Sequence, residues 1–144
     1  MDEHAYRQQL AARIEHPCPF AKAVLSTCVR CSQATRVPLA EREVIACRSP
    51  AAWQRCVELY AQLRHNFGFA LHVLHDDAPL PHAQSMRLQC GGLKGLQVVA
   101  ADAEEVADVA ALLEQVLQRW GKFEAIPYSA LVQAAARCYK GRHG

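Results

Sequence analysis

The chain has 144 residues, 51% of them hydrophobic and 21% charged, a balance that suits one folded domain with a sizeable core. No apolar run approaches the ~20 residues that span a bilayer, and a formal net charge of only +2 argues against a general nucleic-acid coat. Seven cysteines are an excess for this length. The polar start Met1-Asp2-Glu3-His4 lacks the apolar stretch of a signal peptide, so the expected location is the cytoplasm, where such a cysteine density reads as metal or thiol chemistry.

In chain order, residues 2–15 predict a short amphipathic helix with Tyr6, Leu10 and Ile14 on one face. His16-Pro17-Cys18-Pro19 stops it, because proline removes an amide donor and biases the preceding residue away from helix. One or two helical turns follow from Phe20 to Leu25, then a turn at Cys28-Val29-Arg30-Cys31. Pro38 to Glu43 reads as a short helix start and Val44-Ile45-Ala46 as a brief apolar run. Ser49 as N-cap and Pro50 at the first helical position open a long helix to His75. Its stripe is Trp53, Cys56, Tyr60, Leu63, Phe67, Ala70 and Leu74.

Residues 76–81 read as a loop. Residues 83–99 predict a helix containing or flanking a break at Gly91-Gly92 or Gly95. Residues 103–119 predict a helix with Val106, Val109, Ala110, Leu113 and Leu117 on one side and Gly121 as its stop. A last helix runs from Pro127 or Tyr128 to Tyr139 and carries Cys138 as a core thiol. The expected fold is therefore mostly α: a single domain over 1–144, about five helices, with an irregular cysteine-rich segment at 16–56.

That segment carries the chemistry. Its spacing is C-x9-C-x2-C-x15-C-x8-C, through Cys18, Cys28, Cys31, Cys47 and Cys56. A C-x2-C pair lets a tight turn aim both sulfurs at one metal or one cluster. Cys47 precedes an N-cap, where a thiolate feels the positive end of a helix. Cys56 lies on the buried stripe, so it is either a core thiol or the inner wall of a buried site. Cys90, beside Gly91-Gly92, is a sixth candidate ligand and His16 a reserve one. Arg30, Arg48 and Arg55 are placed to offset thiolate or cluster charge, or to dock an acidic partner.

Structural zinc favours two C-x2-C couples and this chain has one, whereas an iron–sulfur cube accepts isolated ligands at irregular spacing. The stretches Pro17-Cys18-Pro19-Phe20, Cys28-x-x-Cys31 and Cys47-Arg48-Ser49-Pro50 to Cys56 resemble small bacterial cysteine-rich proteins regarded as iron–sulfur or zinc- and iron-chelating proteins. That resemblance implies metal ligation and no defined activity. The expected function is an iron–sulfur protein, four-iron first, serving electron transfer or redox sensing and meeting a redox or regulatory protein partner. A zinc-stabilised interaction module is the alternative, and a thiol–disulfide protein using Cys28 and Cys31 a third reading. No acid, base or nucleophile marks a self-contained enzyme, and the apolar stripe of 103–119 leaves a homodimer as an option.

Other motifs carry less. His65, His72, His75 and His82 are spread along a helix and loop, and two turns, ~10 Å, separate the first pair. Gly91-Gly92-Leu93-Lys94-Gly95 matches no phosphate-binding fingerprint.

Overall fold

The structure, a computed structural model, describes residues 3–71, 75, 76 and 78–139, without the side chains of residues 9–13. The expected roles of Leu10, His72 and Leu74 lie outside what is described. The architecture is mostly helical, with one two-stranded sheet. No helix among the described residues is long and apolar enough to cross a membrane.

Helices α1 (Glu3–Arg13) and α2 (Ala21–Leu25) flank the proline pair, as its backbone chemistry requires. A β-hairpin follows where sequence suggested a helix start: β1 (Ala34–Leu39) pairs antiparallel with β2 (Arg42–Cys47), Ala34 opposite Cys47 and Leu39 opposite Arg42. The alternation Thr35, Val37, Leu39 is a strand period that the helix-forming residues around Glu41 obscured. Ala40 closes the turn with φ +55°, a position that more often carries glycine or asparagine. Pro38 is tolerated because a two-stranded ribbon has only edges. A small apolar layer of Ile14, Leu39 and Val44 lies beneath the hairpin.

Helix α3 (Pro50–Leu71) starts as expected: Ala52 N donates to Ser49 Oγ at 3.1 Å. Its buried stripe is Ala52, Cys56, Leu59, Leu63, Phe67 and Leu71. Relative to expectation the stripe is rotated, so that Ala70 is exposed while Trp53 and Tyr60 are half-buried. Buried Arg64 donates from one terminal nitrogen to the carbonyls of His75 and Ala78, while its Nε is buried without a partner.

The glycine-containing helix does not break. α4 (His82–Met86), a π-helical turn (Arg87–Gly91) and α5 (Gly92–Ala101) run on without interruption. Leu88, Gln89, Cys90 and Gly91 of the π turn are all buried, as are Gly92 and Leu93 after it, so the helix is covered on every side here. The glycines serve close approach instead. A Cβ on Gly95 would stand 2.6 Å from the carbonyl oxygen of Leu131, on α7 (Tyr128–Cys138), which packs along α5.

α6 (Val109–Trp120) begins later than its stripe suggested, because Asp108 is extended and caps the helix through Ala110 N. Gly121, at φ +82°, ends it. The main core joins α3, the π turn, α5, α6 and α7 to Phe20, Ala23 and Val29.

Candidate metal centre

Main-chain bonding sets the geometry of the cysteines. Residues 16–18 lie along β2: Cys47 N donates to the His16 carbonyl at 2.8 Å and Cys18 N to the Ile45 carbonyl at 2.9 Å. This holds Cys18 beside Cys47, at the point where β2 leads into the cap of α3. The next turn of α3 presents Cys56. On the other side Arg30 is pinned to the α6 entry, its N–H donating to Val106 and its carbonyl accepting from Val109 N, and Cys31 follows it.

Four free cysteines from four different segments thereby converge. Cys18, Cys31, Cys47 and Cys56 all line one small apolar pocket, closed by Phe20, Val24, Ala52, Trp53 and Val109 among others. Their charges are mutually felt. Burial pushes the Cys18 thiol up to about 11, against a backbone hydrogen bond at Phe20 that lowers it, and Cys31 and Cys47 add repulsion. Burial raises Cys56 further; Cys18, Cys31 and Cys47 repel its thiolate and Arg55 alone opposes them. Four clustered anions here need a cationic centre, or else the thiols stay protonated as core.

The C-x2-C pair, expected to act as one unit, is divided. Cys31 faces the pocket, whereas Cys28 is joined in a disulfide to Cys90 on the π turn. Cys28 and Cys90 thus stand outside the four-thiol group. Thr27, at φ +63°, turns the chain just before Cys28. Cys138, expected in the core, is half-exposed at the end of α7, its Sγ 3.5 Å from Glu104.

His16 does not line the pocket. Its ring packs at a tilt of 43° against Trp53 with centroids 4.7 Å apart, and its Nδ1 is buried with no hydrogen-bond partner. Trp53 Nε1 in turn donates to the Pro17 carbonyl at 2.8 Å, fixing one wall of the pocket. Of the expected arginines, Arg55 reaches Glu114 at 3.4 Å and stands nearest the site. Arg48 is exposed and bonds the Ser32 carbonyl; Arg30 is exposed on a neighbouring cleft that shares Cys31. The histidine series does not form a site as described: His65 pairs with Asp76 at 3.0 Å.

Among the described residues no three His, Cys, Asp or Glu side chains are grouped so as to hold a single metal ion. Sulfurs around one tetrahedral zinc stand ~3.8 Å apart, given Zn–S bonds of ~2.3 Å. The four thiols share a pocket without that tight grouping. No family model, curated protein or solved structure matches the chain.

Proposed function

We propose that this protein is an iron–sulfur protein whose cluster is held by Cys18, Cys31, Cys47 and Cys56, acting in electron transfer or redox sensing. The observation that carries the reading is the convergence of four free cysteines, distant in sequence, on one apolar pocket. A four-iron cube offers four separated corners, which matches isolated ligands better than one central ion does. The pocket is small, so rotation of the thiols about their χ1 bonds must make room. Loading releases the thiol protons and replaces the mutual repulsion of four thiolates with bonds to iron. Trp53, Phe20 and Val109 then limit water at the cluster, and Arg55 offsets part of its negative charge.

The test is anaerobic purification followed by visible spectroscopy with iron and acid-labile sulfide analysis. A brown protein with roughly four irons and four sulfides per chain is expected. A colourless, iron-free sample prepared that way overturns the reading. Stoichiometric zinc without sulfide would select a zinc-stabilised interaction module instead.

A further inference from the structure

Outside the four-thiol pocket, the Cys28–Cys90 disulfide joins two pieces of irregular backbone. Cys90 sits in the π turn, a helix defect that recurs at functional sites. Cys28 directly follows Thr27, whose φ of +63° is a strained conformation for a β-branched residue. The two residues also differ in exposure: Cys90 is fully buried, whereas Cys28 is only partly covered and follows the exposed Ser26 and Thr27. Ser26 Oγ lies 3.9 Å from Cys90 Sγ. An inert staple needs none of these features.

We infer that Cys28–Cys90 is a second redox centre, independent of any metal, that accepts two electrons from a dithiol reductant. A thiolate of the reductant attacks Sγ of Cys28, the more exposed residue of the pair. The bond to Cys90 breaks, and its electron pair leaves on Cys90 Sγ, which takes up a proton; the Ser26 hydroxyl, which donates to the Ala23 carbonyl at 3.1 Å in the disulfide form, lies 3.9 Å away and turns to the developing thiolate. The reductant's second thiol then attacks the mixed disulfide. Cys28 leaves as a thiolate and is protonated, and the reductant departs as its own disulfide. Reduction frees the π turn from the Ser26–Val29 loop, although the Ala23 N–H still donates to Gln89 Oε1 at 3.2 Å. The two halves therefore stay associated and the step is reversible.

The test uses the full chain, isolated in air and titrated natively with reduced and oxidised dithiothreitol. At each point metal is removed with chelator in denaturant, the thiols are alkylated, and peptides are mapped by mass spectrometry. A Cys28–Cys90 cross-linked peptide pair should disappear and return reversibly, with two alkylatable thiols gained per chain at those positions. Cys28→Ser and Cys90→Ser should each abolish that two-thiol step and leave metal content unchanged. Free Cys28 and Cys90 in the air-isolated protein would overturn the inference. So would a cross-link that resists native millimolar dithiothreitol and opens only in denaturant. The wild-type titration decides even where a variant fails to fold, and it reads out whether or not the chain holds iron.

Discussion

Cys56 is the residue on which the metal reading is best tested, because it lies deepest and belongs to a regular helix rather than a loop. Cys56→Ser keeps the volume and replaces a soft ligand with a poor one. The expected result is loss of most of the iron and visible absorption, with helix content retained; Cys138→Ser, at the far end of α7, should leave both unchanged. Equal iron in the two variants would remove Cys56 from the site. Tyr128 offers a second prediction, far from the cysteines. Its hydroxyl donates to the Phe123 carbonyl at 2.8 Å, and burial, with Glu124 adding repulsion, raises its pKa above the ordinary 10.0. A raised phenol pKa means that folding favours the protonated form. This stabilisation is complete below pH ~10 and is lost as pH rises beyond it. Tyr128→Phe should therefore cost about 1 kcal/mol at neutral pH, with the gap to wild type narrowing above pH 10 in urea melts. A constant gap across that range would refute the assignment. Sequence made the crowding of cysteines legible, along with the inward placement of Cys56. It misled on Cys28, because the partner that takes Cys28 out of the pair with Cys31 is Cys90, 62 residues along the chain, and no local signal announces so distant a contact.

The helices that carry their own start and stop signals are those read most closely from sequence. Ser49-Pro50 and Gly121 act through local chemistry and need no neighbour. The hairpin and the unbroken α4–α5 helix were hidden for a different reason. The Ala40 turn is held by strand pairing, and the glycines of α5 are explained only by what lies across from them. Gly95→Ala should bear this out. Its new methyl would press on the Leu131 carbonyl and the Ala135 amide, both backbone atoms that cannot rotate away, so a cost of about 2–3 kcal/mol is expected in denaturant melts. In an exposed helix the same change would stabilise, so a stabilised Gly95→Ala would show that α5 and α7 are not in close contact. Asp108 gives a milder case. It caps α6 through Ala110 N and also accepts from Ser32 N at 2.9 Å, tying the cysteine segment to the helix. Asp108→Ala should cost about 1 kcal/mol.

At the scale of the molecule, the four-thiol pocket and the helical core have different sources of stability. Cys18, Cys31 and Cys47 lie in loops and at a strand end, held by a two-stranded ribbon, a few main-chain bonds and the contact of Cys18 and Cys31 with the edge of the main core, and an isolated ribbon of that kind is marginal on its own. The α5–α7 contact and the α6 stripe are instead packed by Leu93, Leu96, Leu113, Val116 and Leu131, none of which lines the pocket. A group bridging four segments should then stabilise mainly the part that lacks a core of its own, since binding to the folded state raises its free energy of opening. Hydrogen exchange before and after anaerobic removal of iron by a chelator can measure this. Amides of residues 16–47 should lose protection by an order of magnitude or more, given that a 1.4 kcal/mol change in opening free energy is tenfold. Those of α5, α6 and α7 should change little. Equal loss of protection throughout would mean that the chain opens as one cooperative unit and that the pocket is part of the core rather than a clasp upon it. No change anywhere would leave the four cysteines as buried thiols without a ligand to hold.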